Sequence, residues 1–527
     1  MFLTNFNFVL ILLIPNIYAN KPVIVHSQYG DILGYETNMS RIFYGIPFAQ
    51  PPIDSLRWQP PVPITKWDPK VLNATRPQPA CSQPADTMKF TITTPPVMSE
   101  DCLYLNIFTP LSSNVSSTHL LPVMLFIHGG DFQFGSASAS IYESERLVNT
   151  TNIIIALIQY RLGVLGFLAT GNGPYDIKGN YGILDQRLAI TWVKDNINAF
   201  GGDPNQITLF GQSAGAQSTA LHYVTNEMQP FFQRAIIQSA PMTVPFRTYL
   251  DNVTPTVLLA EQLHCSPNNL TCFRSRSADE IIIAQAEVNK KVTSLNPLSY
   301  FEPWLPVIDN YIVHGQLINT IRNVSFPLKP LIIGTVTEEC FDFVYSTWKK
   351  AITATEYAGF AIGLFGEKAL KVLEHYPPSS SGDQRALLVR LATHWVFACS
   401  TRVFARKAAS YSYVFGYPYD KENLLSCPDH ACHANDLPFT FESFWQRFTS
   451  TGRYISQGMA TYWTNFAKSQ NPNDPSSVPL SWPTATSGNE TYMFIQNPFQ
   501  IGEYYLKSDC DLWDQIGYKN DFFRIKL

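Results

Sequence analysis

The sequence contains little charge. Charged residues make up only 15% of its 527 residues, and 37 lysines and arginines against 41 aspartates and glutamates leave a net charge of -4. Without an excess of positive charge, the chain has no basic surface that could bind a phosphate backbone. The charge is also too small to create a strong field for an acidic partner. We therefore expect no nucleic-acid partner.

The sequence also lacks linkers. No long glycine and serine run, no tract of like charge and no tandem repeat interrupts it, and its 38 prolines are dispersed along the chain. A hydrophobic content of 45% can bury a large core. Although the length alone would allow several domains, we expect one large α/β domain with insertions over residues 20–527.

Membrane-spanning segments are lacking after the N-terminus, whose residues 1–19 predict a cleaved signal peptide. The apolar stretch Phe8–Ile14 is followed by the helix breaker Pro15 and by the small residue Ala19 before Asn20. The stretch is too short to span a bilayer comfortably, although the missing basic residues before it favour a retained signal anchor instead. Later residues contain no membrane span, GPI tail or ER-retention signal. We expect a secreted protein, extracellular or in the secretory or endolysosomal lumen.

N-glycosylation sequons are more numerous than an intracellular chain needs, and they agree with secretion. An N-x-[ST] motif in a secreted protein predicts a surface asparagine that carries a glycan. Attached glycans would supply surface polarity that the low charge does not provide. The eight predicted acceptors are Asn38, Asn73, Asn114, Asn149, Asn252, Asn269, Asn323 and Asn489.

A G-x-S-x-G motif at residues 211–215 is centred on Ser213. It follows the apolar run 207–210 and precedes an alanine-rich and serine-rich stretch that can open a helix. Small residues two positions before and after the serine let the chain bend sharply and leave the hydroxyl at the tip of the corner. The motif also recurs by chance, because glycine and serine are common in turns. A nucleophilic Ser213 further requires a base, an orienting acid and an oxyanion hole.

Further segments accompany this motif along the chain. They are 43–49 (FYGIPFA), 100–106 (EDCLYLN), 179–187 (GNYGILDQR) and 200–205 (FGGDPN), together with 211–215 (GQSAG) itself. These segments resemble those of the type-B carboxylesterase family, which includes the cholinesterases, and the resemblance runs from about Arg41 to Trp513. It implies an α/β-hydrolase fold, with a mostly parallel central sheet flanked by helices, and a serine esterase that uses no metal or organic cofactor.

The predicted oxyanion loop follows another apolar run. Residues 121–127 predict a buried parallel strand, and the sequence His-Gly-Gly-Asp-Phe follows at 128–132. The resemblance implies that the backbone N–H groups of Gly130, Asp131 and Ala214 converge on the oxygen that becomes negative in the tetrahedral intermediate.

Asp131 departs from the family, which usually carries glycine or another small residue at this position. Aspartate tolerates unusual backbone angles, so its N–H can still point at the oxyanion. A carboxylate about 5 Å from the oxyanion would cost on the order of 3 kcal/mol at an effective dielectric constant of about 20. This equals roughly what one oxyanion donor supplies. Activity therefore requires that the Asp131 side chain turn away, be paired or be protonated.

The resemblance implies that Glu339 is the acid and His433 the base. Their chain order after Ser213 is the order of the catalytic triad in α/β-hydrolases. His433 would take the Ser213 proton, and Glu339 would hold the other ring nitrogen. We assign the neighbouring Glu338 a structural role and interpret His430 as a nearby histidine outside the triad.

The nine cysteines predict disulfides, because the predicted compartment is oxidising. Six of them form the three pairs that the family resemblance implies, and Cys340, Cys427 and Cys432 remain. Cys427 could pair with Cys432, a departure from the family that leaves Cys340 as a free structural thiol. A zinc site in this cysteine and histidine cluster is disfavoured by the irregular spacing and the oxidising compartment, so we expect no metal. The pairs implied by the resemblance are Cys81 with Cys102, Cys265 with Cys272, and Cys399 with Cys510.

Two features of the family's cholinesterases are missing. Cholinesterases carry a tryptophan, which binds quaternary ammonium groups, in the loop closed by the first disulfide, whereas the loop between Cys81 and Cys102 contains Phe90 as its only aromatic residue. They also have glutamate where this chain has Gln212. Both differences favour neutral carboxylic esters. Candidates for the acyl pocket and gorge, by position, are Phe246, Tyr300, Phe301, Glu302, Trp304, Phe341 and Phe343.

We therefore predict a secreted, glycosylated serine esterase that acts on neutral esters through an acyl-enzyme. Three alternatives remain. One is a non-catalytic adhesion or binding glycoprotein on the same fold, which Asp131 favours. Another is a lipase that acts on aggregated lipid. The third is a structural or storage glycoprotein that retains these residues by inheritance and shows no turnover.

Overall fold

The computed structural model describes residues 21–67, 70–84, 97–111, 120–295, 304–408, 410–418, 427, 429–486 and 488–518. Several predicted features lie outside these ranges: the signal peptide, the Asn114 sequon, Phe90, and the candidate pocket residues 300–302.

Thirteen of the strands in the described residues join one sheet, and β5 and β6 form a separate pair. The strands are β1 (Lys21–Ser27), β2 (Gly30–Glu36), β3 (Ser40–Pro47), β4 (Val71–Asn73), β5 (Ala80–Cys81), β6 (Met98–Ser99), β7 (Tyr104–Pro110), β8 (Leu121–Ile127), β9 (Ile154–Ile158), β10 (Gly202–Gln212), β11 (Arg234–Gln238), β12 (Leu331–Val336), β13 (Tyr411–Phe415), β14 (Thr491–Ile495) and β15 (Gln500–Glu503).

The centre of the sheet is parallel. Its strand order is β1-β2-β3-β7-β9-β8-β10-β11-β12-β13-β14-β15, with β4 beside β2. Every pair from β9 to β14 in this order is parallel, and the flanking pairs on both sides are antiparallel. The predicted mostly parallel α/β-hydrolase sheet is confirmed. Ligands of such sheets bind at the carboxyl ends of the strands, and the predicted functional segments follow the carboxyl ends of β8, β10 and β12.

Helices cover both faces of the sheet. Within the described residues, none of them combines the length and the apolar composition that crossing a bilayer requires. They are α1 (Glu145–Thr151), α2 (Gly163–Phe167), α3 (Tyr181–Asn196), α4 (Ala214–Tyr223), α5 (Val253–Gln262), α6 (Leu270–Arg274), α7 (Ala278–Leu295), α8 (Leu317–Arg322), α9 (Phe341–Thr347), α10 (Ala354–Phe365), α11 (Ala369–His375), α12 (Arg385–Ala392), α13 (Cys399–Ala408), α14 (Leu437–Phe441), α15 (Ser450–Ser469) and α16 (Lys507–Ile516).

The apolar run of β8 packs against a core on each side of the sheet. Leu125 and Ile127 belong to the core that includes α3 and α4. Met124 and Phe126 alternate with them and belong to the core that includes α1, α14 and α15. A parallel strand buried on both faces has no polar side, which explains its continuous apolar sequence.

Four disulfides are present in the described residues. The three pairs that the family resemblance implied are formed. Cys427 pairs with Cys432, which is the departure from the family that the sequence analysis considered. Cys340 is a buried free thiol. The bond between Cys399 and Cys510 ties α16 to the start of α13 and closes a loop with a sequence separation of 111 residues.

Asn252 does not fit the predicted surface glycan. Its residue is only 2% exposed, and its side-chain amide donates a hydrogen bond to the carbonyl of Thr248 at 3.0 Å. A glycan needs the amide nitrogen at the surface, so this sequon is not accessible in the folded chain. The sequon asparagines that are exposed are Asn38, Asn73, Asn149, Asn269 and Asn323, and Asn489 is partly exposed.

Candidate active site

Ser213 forms the corner between β10 and α4. Its backbone has φ 59° and ψ -126°, a combination that a non-glycine residue adopts only when the surrounding structure holds it. A Cβ atom at Gly215 would lie 2.0 Å from the carbonyl oxygen of Ile127, and one at Gly211 would lie 2.3 Å from the carbonyl oxygen of Gly215. Both glycines are therefore required by the close approach of strand and helix, as the motif predicts.

Glu339 and His433 form a short hydrogen bond. The distance between Nδ1 of His433 and Oε2 of Glu339 is 2.5 Å, and the Glu339 side chain is fully buried. The other carboxylate oxygen accepts hydrogen bonds from the Thr335 hydroxyl at 2.6 Å and from the Val336 N–H at 2.9 Å. The end of β12 therefore holds Glu339 in a position that orients the imidazole.

The other ring nitrogen of His433 has an unexpected partner. Its Nε2 lies 3.1 Å from Nε2 of the Gln212 side chain. Among the hydrogen bonds of the described residues, this contact takes the place of one with the Ser213 hydroxyl. Sequence reasoning used Gln212 only as a clue to the substrate and missed this contact, which no local sequence pattern predicts.

The oxyanion loop packs directly against Ser213. A Cβ atom at Gly129 would lie 2.9 Å from Cβ of Ser213, so only glycine allows the approach. Gly130 and Asp131 have positive φ angles of 112° and 53°. The backbone N–H groups of Gly130, Asp131 and Ala214 take no part in the hydrogen bonds found among the described residues. These donors are thus available to a ligand.

Polar contacts fix the loop around its glycines. The Gln83 amide donates to the carbonyl of Gly135 and accepts from its N–H, both at 2.9 Å. Nδ1 of His128 lies 2.8 Å from the carbonyl of Gly129, and its ring stacks on Tyr160 at 4.6 Å. Burial lowers the pKa of His128 to about 4, so this histidine is neutral at physiological pH.

Asp131 lines the same cavity as Ser213 and His433, and the residue is only 7% exposed. Burial raises the pKa of its carboxyl to about 7, and the nearby charge of His433 opposes this rise. A carboxyl that interacts with His433 does not agree with the first of the three sequence-based expectations, that this side chain turns away.

The cavity above Ser213 has a volume of about 60 Å³. Apart from the residues already described, its wall is mainly apolar. Phe343 and Phe397 flank the His433 ring at 5.2 Å between centroids, and Phe343 is one of the predicted gorge residues. The apolar side chains that line the cavity are Phe134, Ile141, Phe343, Ala434 and Leu437.

A sequence profile of the carboxylesterase family matches residues 21–513, nearly all of the described chain. The chain belongs to the carboxylesterase family. It is 34% identical over 505 residues to the crystal protein of Dictyostelium discoideum, across 93% of this chain and 90% of that protein.

Enzymes are among the relatives of this carboxylesterase. It is 30% identical to the para-nitrobenzyl esterase of Bacillus subtilis strain 168, across 87% of this chain and 92% of that protein. A solved thermophilic PNB esterase superposes with a TM-score of 0.81 at 27% identity, across 93% of this chain and 99% of that one. The carboxylesterase described here is a carboxylic ester hydrolase.

The loop of this carboxylesterase that carries His433 is anchored by a buried carboxyl that sequence reasoning did not single out. Asp436 accepts hydrogen bonds from the Gln238 amide at 2.8 Å and from the Tyr413 hydroxyl at 3.1 Å. The indole of Trp463 donates to the same Gln238 at 3.2 Å. Its position three residues after His433, the predicted base, was the signal in the sequence that could have identified it.

A second histidine–glutamate pair stands beside the first in this carboxylesterase. Nδ1 of His430 lies 2.6 Å from Oε2 of Glu338, but the two side chains are 37% and 36% exposed. His430 also stacks on Phe341 at 4.3 Å. This pair is consistent with the structural role that the sequence assigned to Glu338. The sulfurs of Cys427 and Cys432 are bonded to each other, so they are not thiolate ligands for a metal.

Proposed function

We propose that this carboxylesterase hydrolyses small neutral esters through an acyl-enzyme on Ser213, with His433 as the base and Glu339 as the orienting acid. The observation that carries the proposal is the buried 2.5 Å contact between Glu339 and Nδ1 of His433, next to the strained corner at Ser213. With the proton on Nδ1, the ring keeps a free lone pair on Nε2, as a general base requires.

Acylation begins when the Ser213 hydroxyl oxygen attacks the ester carbonyl carbon and passes its proton to Nε2 of His433. For this transfer, Nε2 must exchange its contact with the Gln212 amide for one with the hydroxyl. The buried Glu339 carboxylate stabilises the positive imidazolium that forms. The imidazolium then protonates the leaving alcohol, and water resolves the acyl-enzyme by the same steps.

The negative oxygen of the tetrahedral intermediate would accept from the N–H groups of Gly130, Asp131 and Ala214. Fixed donors of this kind require no reorganisation during the reaction, and loss of one typically lowers kcat by about 10²-fold to 10³-fold. The free N–H groups and the close packing of Gly129 on Ser213 support this assignment.

Neutral esters fit the wall of the cavity better than cationic ones. The apolar side chains around Ser213 would pack on an acyl or alkyl group, and the amide of Gln212 carries no charge. The absence of tryptophan between Cys81 and Cys102 agrees with this choice, since a quaternary ammonium group binds best on such a ring.

Secretion is supported by three independent features. Residues 1–19 have the composition of a signal peptide, four disulfides are formed in the described chain, and most sequon asparagines are exposed. We therefore propose a secreted glycoprotein. Asn252 is excluded from its glycan sites because that side chain is buried.

A non-catalytic binding glycoprotein is the second candidate, and Asp131 is the observation that favours it. A carboxylate in the oxyanion loop opposes a negative intermediate. Two relatives from Dictyostelium discoideum bear names that state no enzyme activity, the crystal protein and the cAMP-regulated D2 protein.

Labelling with a fluorophosphonate probe tests the proposed function. Purified protein without its signal peptide would be labelled in parallel with Ser213→Ala and with Ser266→Ala, a matched change at an exposed serine. Hydrolysis of p-nitrophenyl acetate and of longer acyl esters would then be followed. We expect label and turnover in the wild type and in Ser266→Ala and neither in Ser213→Ala. A folded wild type without label or turnover would favour the binding glycoprotein.

A further inference from the structure

Asp131 is held in the cavity by its backbone. Both Asp131 and Phe132 have positive φ angles, 53° and 56°, and the N–H of Gly163 donates to the carbonyl of Phe132 at 2.7 Å. A loop fixed in this rare conformation cannot rotate freely. Asp131 lines the cavity that Ser213 and His433 share and is only 7% exposed, and its carboxyl is close enough to His433 for the two charges to interact.

Within the described part of the chain, neither lysine nor arginine lines the cavity, so neither supplies a cation to neutralise the Asp131 carboxyl. The titratable residues of the wall besides Asp131 are His433 and Tyr142. His433 acts on Asp131 by its charge, but its two nitrogens already contact Glu339 and Gln212. Burial raises the pKa of Tyr142, so its hydroxyl is neutral. Strand β10 contributes Gln212 to the wall, the corner before α4 contributes Ser213, and α9 contributes Phe343, and all three side chains are uncharged.

Asp131 is compatible with an oxyanion if its side chain turns away, is paired with a cation or is protonated. Of these three conditions, protonation therefore remains. Burial raises its pKa to about 7, so the neutral acid is present on the acidic side of neutrality. A neutral carboxyl has an O–H group that can donate a hydrogen bond, whereas an ionised carboxyl only accepts. A carboxylic acid kept neutral by an apolar site is a known kind of oxyanion donor.

We propose that Asp131 is a catalytic residue whose neutral carboxyl donates a hydrogen bond to the ester oxyanion, which confines efficient hydrolysis to acidic pH. This proposal rests on the proposed function of Ser213. The proton stays on Asp131 throughout: the carbonyl electron pair moves onto oxygen when Ser213 attacks, and returns to re-form the carbonyl as the alcohol leaves. Ionised Asp131 instead places two negative charges in one small cavity and slows acylation by about a hundredfold.

The test is the pH dependence of kcat/KM for p-nitrophenyl acetate between about pH 4.5 and about pH 8.5. The variants are Asp131→Asn, Asp131→Gly and, as a matched control, Asp279→Asn at an exposed position on α7. We expect the wild type and Asp279→Asn to lose rate as pH rises past about 7, down to roughly one twenty-fifth at about pH 8.5. The kcat/KM of Asp131→Asn should not decline as pH rises past about 7, because the side-chain amide can donate a hydrogen bond at every pH. Asp131→Gly should lose the alkaline decline and be about a hundredfold slower than the wild type at about pH 5, since one donor is missing.

Two results would overturn the proposal while leaving the esterase intact: a wild-type rate that stays on a plateau to pH 8.5, or an alkaline decline of the same size in Asp131→Asn. Glycine adopts positive φ angles without strain, so Asp131→Gly should fold even if Asp131→Asn strains the loop. Failure of folded wild type and Asp131→Gly to take up the fluorophosphonate label or turn over ester at any pH would instead remove the proposed function itself.

Discussion

Nε2 of the Gln212 amide lies 3.1 Å from Nε2 of His433. Since Nδ1 of His433 faces the Glu339 carboxylate at 2.5 Å, the ring proton sits on Nδ1 and the amide N–H donates to the lone pair on Nε2. That lone pair is the one that would accept the Ser213 proton. In the proposed mechanism, Gln212 therefore favours the tautomer of His433 that a base requires and competes with Ser213 for its lone pair, which makes Gln212 a positioning residue.

Replacing Gln212 by glutamate should move the acid limb of kcat/KM to higher pH by about one unit. A carboxylate within hydrogen-bond distance of the ring favours the imidazolium, which cannot accept the Ser213 proton. The measurement is a pH–rate profile, with Gln457→Glu on the exposed face of α15 as the matched control. Coincident acid limbs in wild type and Gln212→Glu would mean that Gln212 does not contact the base in solution.

The two histidine–glutamate pairs provide a matched comparison. Glu339→Gln should lower kcat by about 10³-fold to 10⁴-fold, because an amide can donate to Nδ1 and hold the ring in the wrong tautomer. Glu338→Gln should change kcat by less than about twofold, since its pair with His430 is solvent-exposed and contributes little. Steady-state kinetics with p-nitrophenyl acetate as the substrate would give kcat for the wild type and for both variants. Equal losses in the two variants would contradict the assignment of the acid.

The sequence allowed the central strands to be predicted well. The run 121–127 coincides with β8, because a parallel strand buried on both faces is apolar throughout and ends where polar loop residues begin. The corner at Ser213 was equally predictable, since its two glycines are demanded by contacts within a short stretch of chain. Both features depend on local sequence.

Features that depend on distant residues could not be predicted in the same way. The contact between Gln212 and His433 joins side chains 221 residues apart, and neither residue's surroundings in the sequence indicate it. A sequon is likewise a local pattern, whereas the burial of Asn252 results from tertiary packing. The sequence identified Asp131 as a difficulty, but the position of Asp131 in one cavity with Ser213 and His433 depends on the fold.

Gly130→Ala should reduce activity by at least about a hundredfold, through loss of oxyanion donors. The added Cβ would lie 2.0 Å from the carbonyl oxygen of Phe134, and the residue has a φ of 112° that alanine adopts only with strain. Gly359→Ala in α10 is the control, because nothing lies within 4 Å of its Cβ position. The control should be as active as wild type and up to about 1 kcal/mol more stable. An active Gly130→Ala variant would argue against the proposed oxyanion loop.

The disulfide between Cys399 and Cys510 should contribute most to stability. The loop-entropy relation gives about 5 kcal/mol for its sequence separation of 111 residues. The same relation gives about 2 kcal/mol for Cys265–Cys272, with a separation of 7. Unfolding by urea of the two double-alanine variants tests the ranking. An equal loss of stability in both would show that chain entropy is not the main contribution.

Ionisation of Asp131 should also change the free energy of unfolding, independently of catalysis. Its folded pKa is raised to about 7 from an ordinary value of 3.8, so between these pH values the unfolded chain gives up the proton while the folded chain keeps it. The carboxyl therefore lowers the free energy of unfolding progressively as pH rises from about 4 to about 7, and the full loss persists above that range.

Asp131→Asn removes this pH-dependent loss, because asparagine does not ionise. The melting temperature of Asp131→Asn minus that of the wild type should be smallest near pH 4, grow as pH rises and level off near pH 8, whereas Asp279→Asn should show no such trend. Calorimetry or circular dichroism at a series of pH values gives this difference. A difference that stays constant from pH 4 to pH 8 would mean that Asp131 ionises as an ordinary aspartate, and the acidic oxyanion donor would then have no basis.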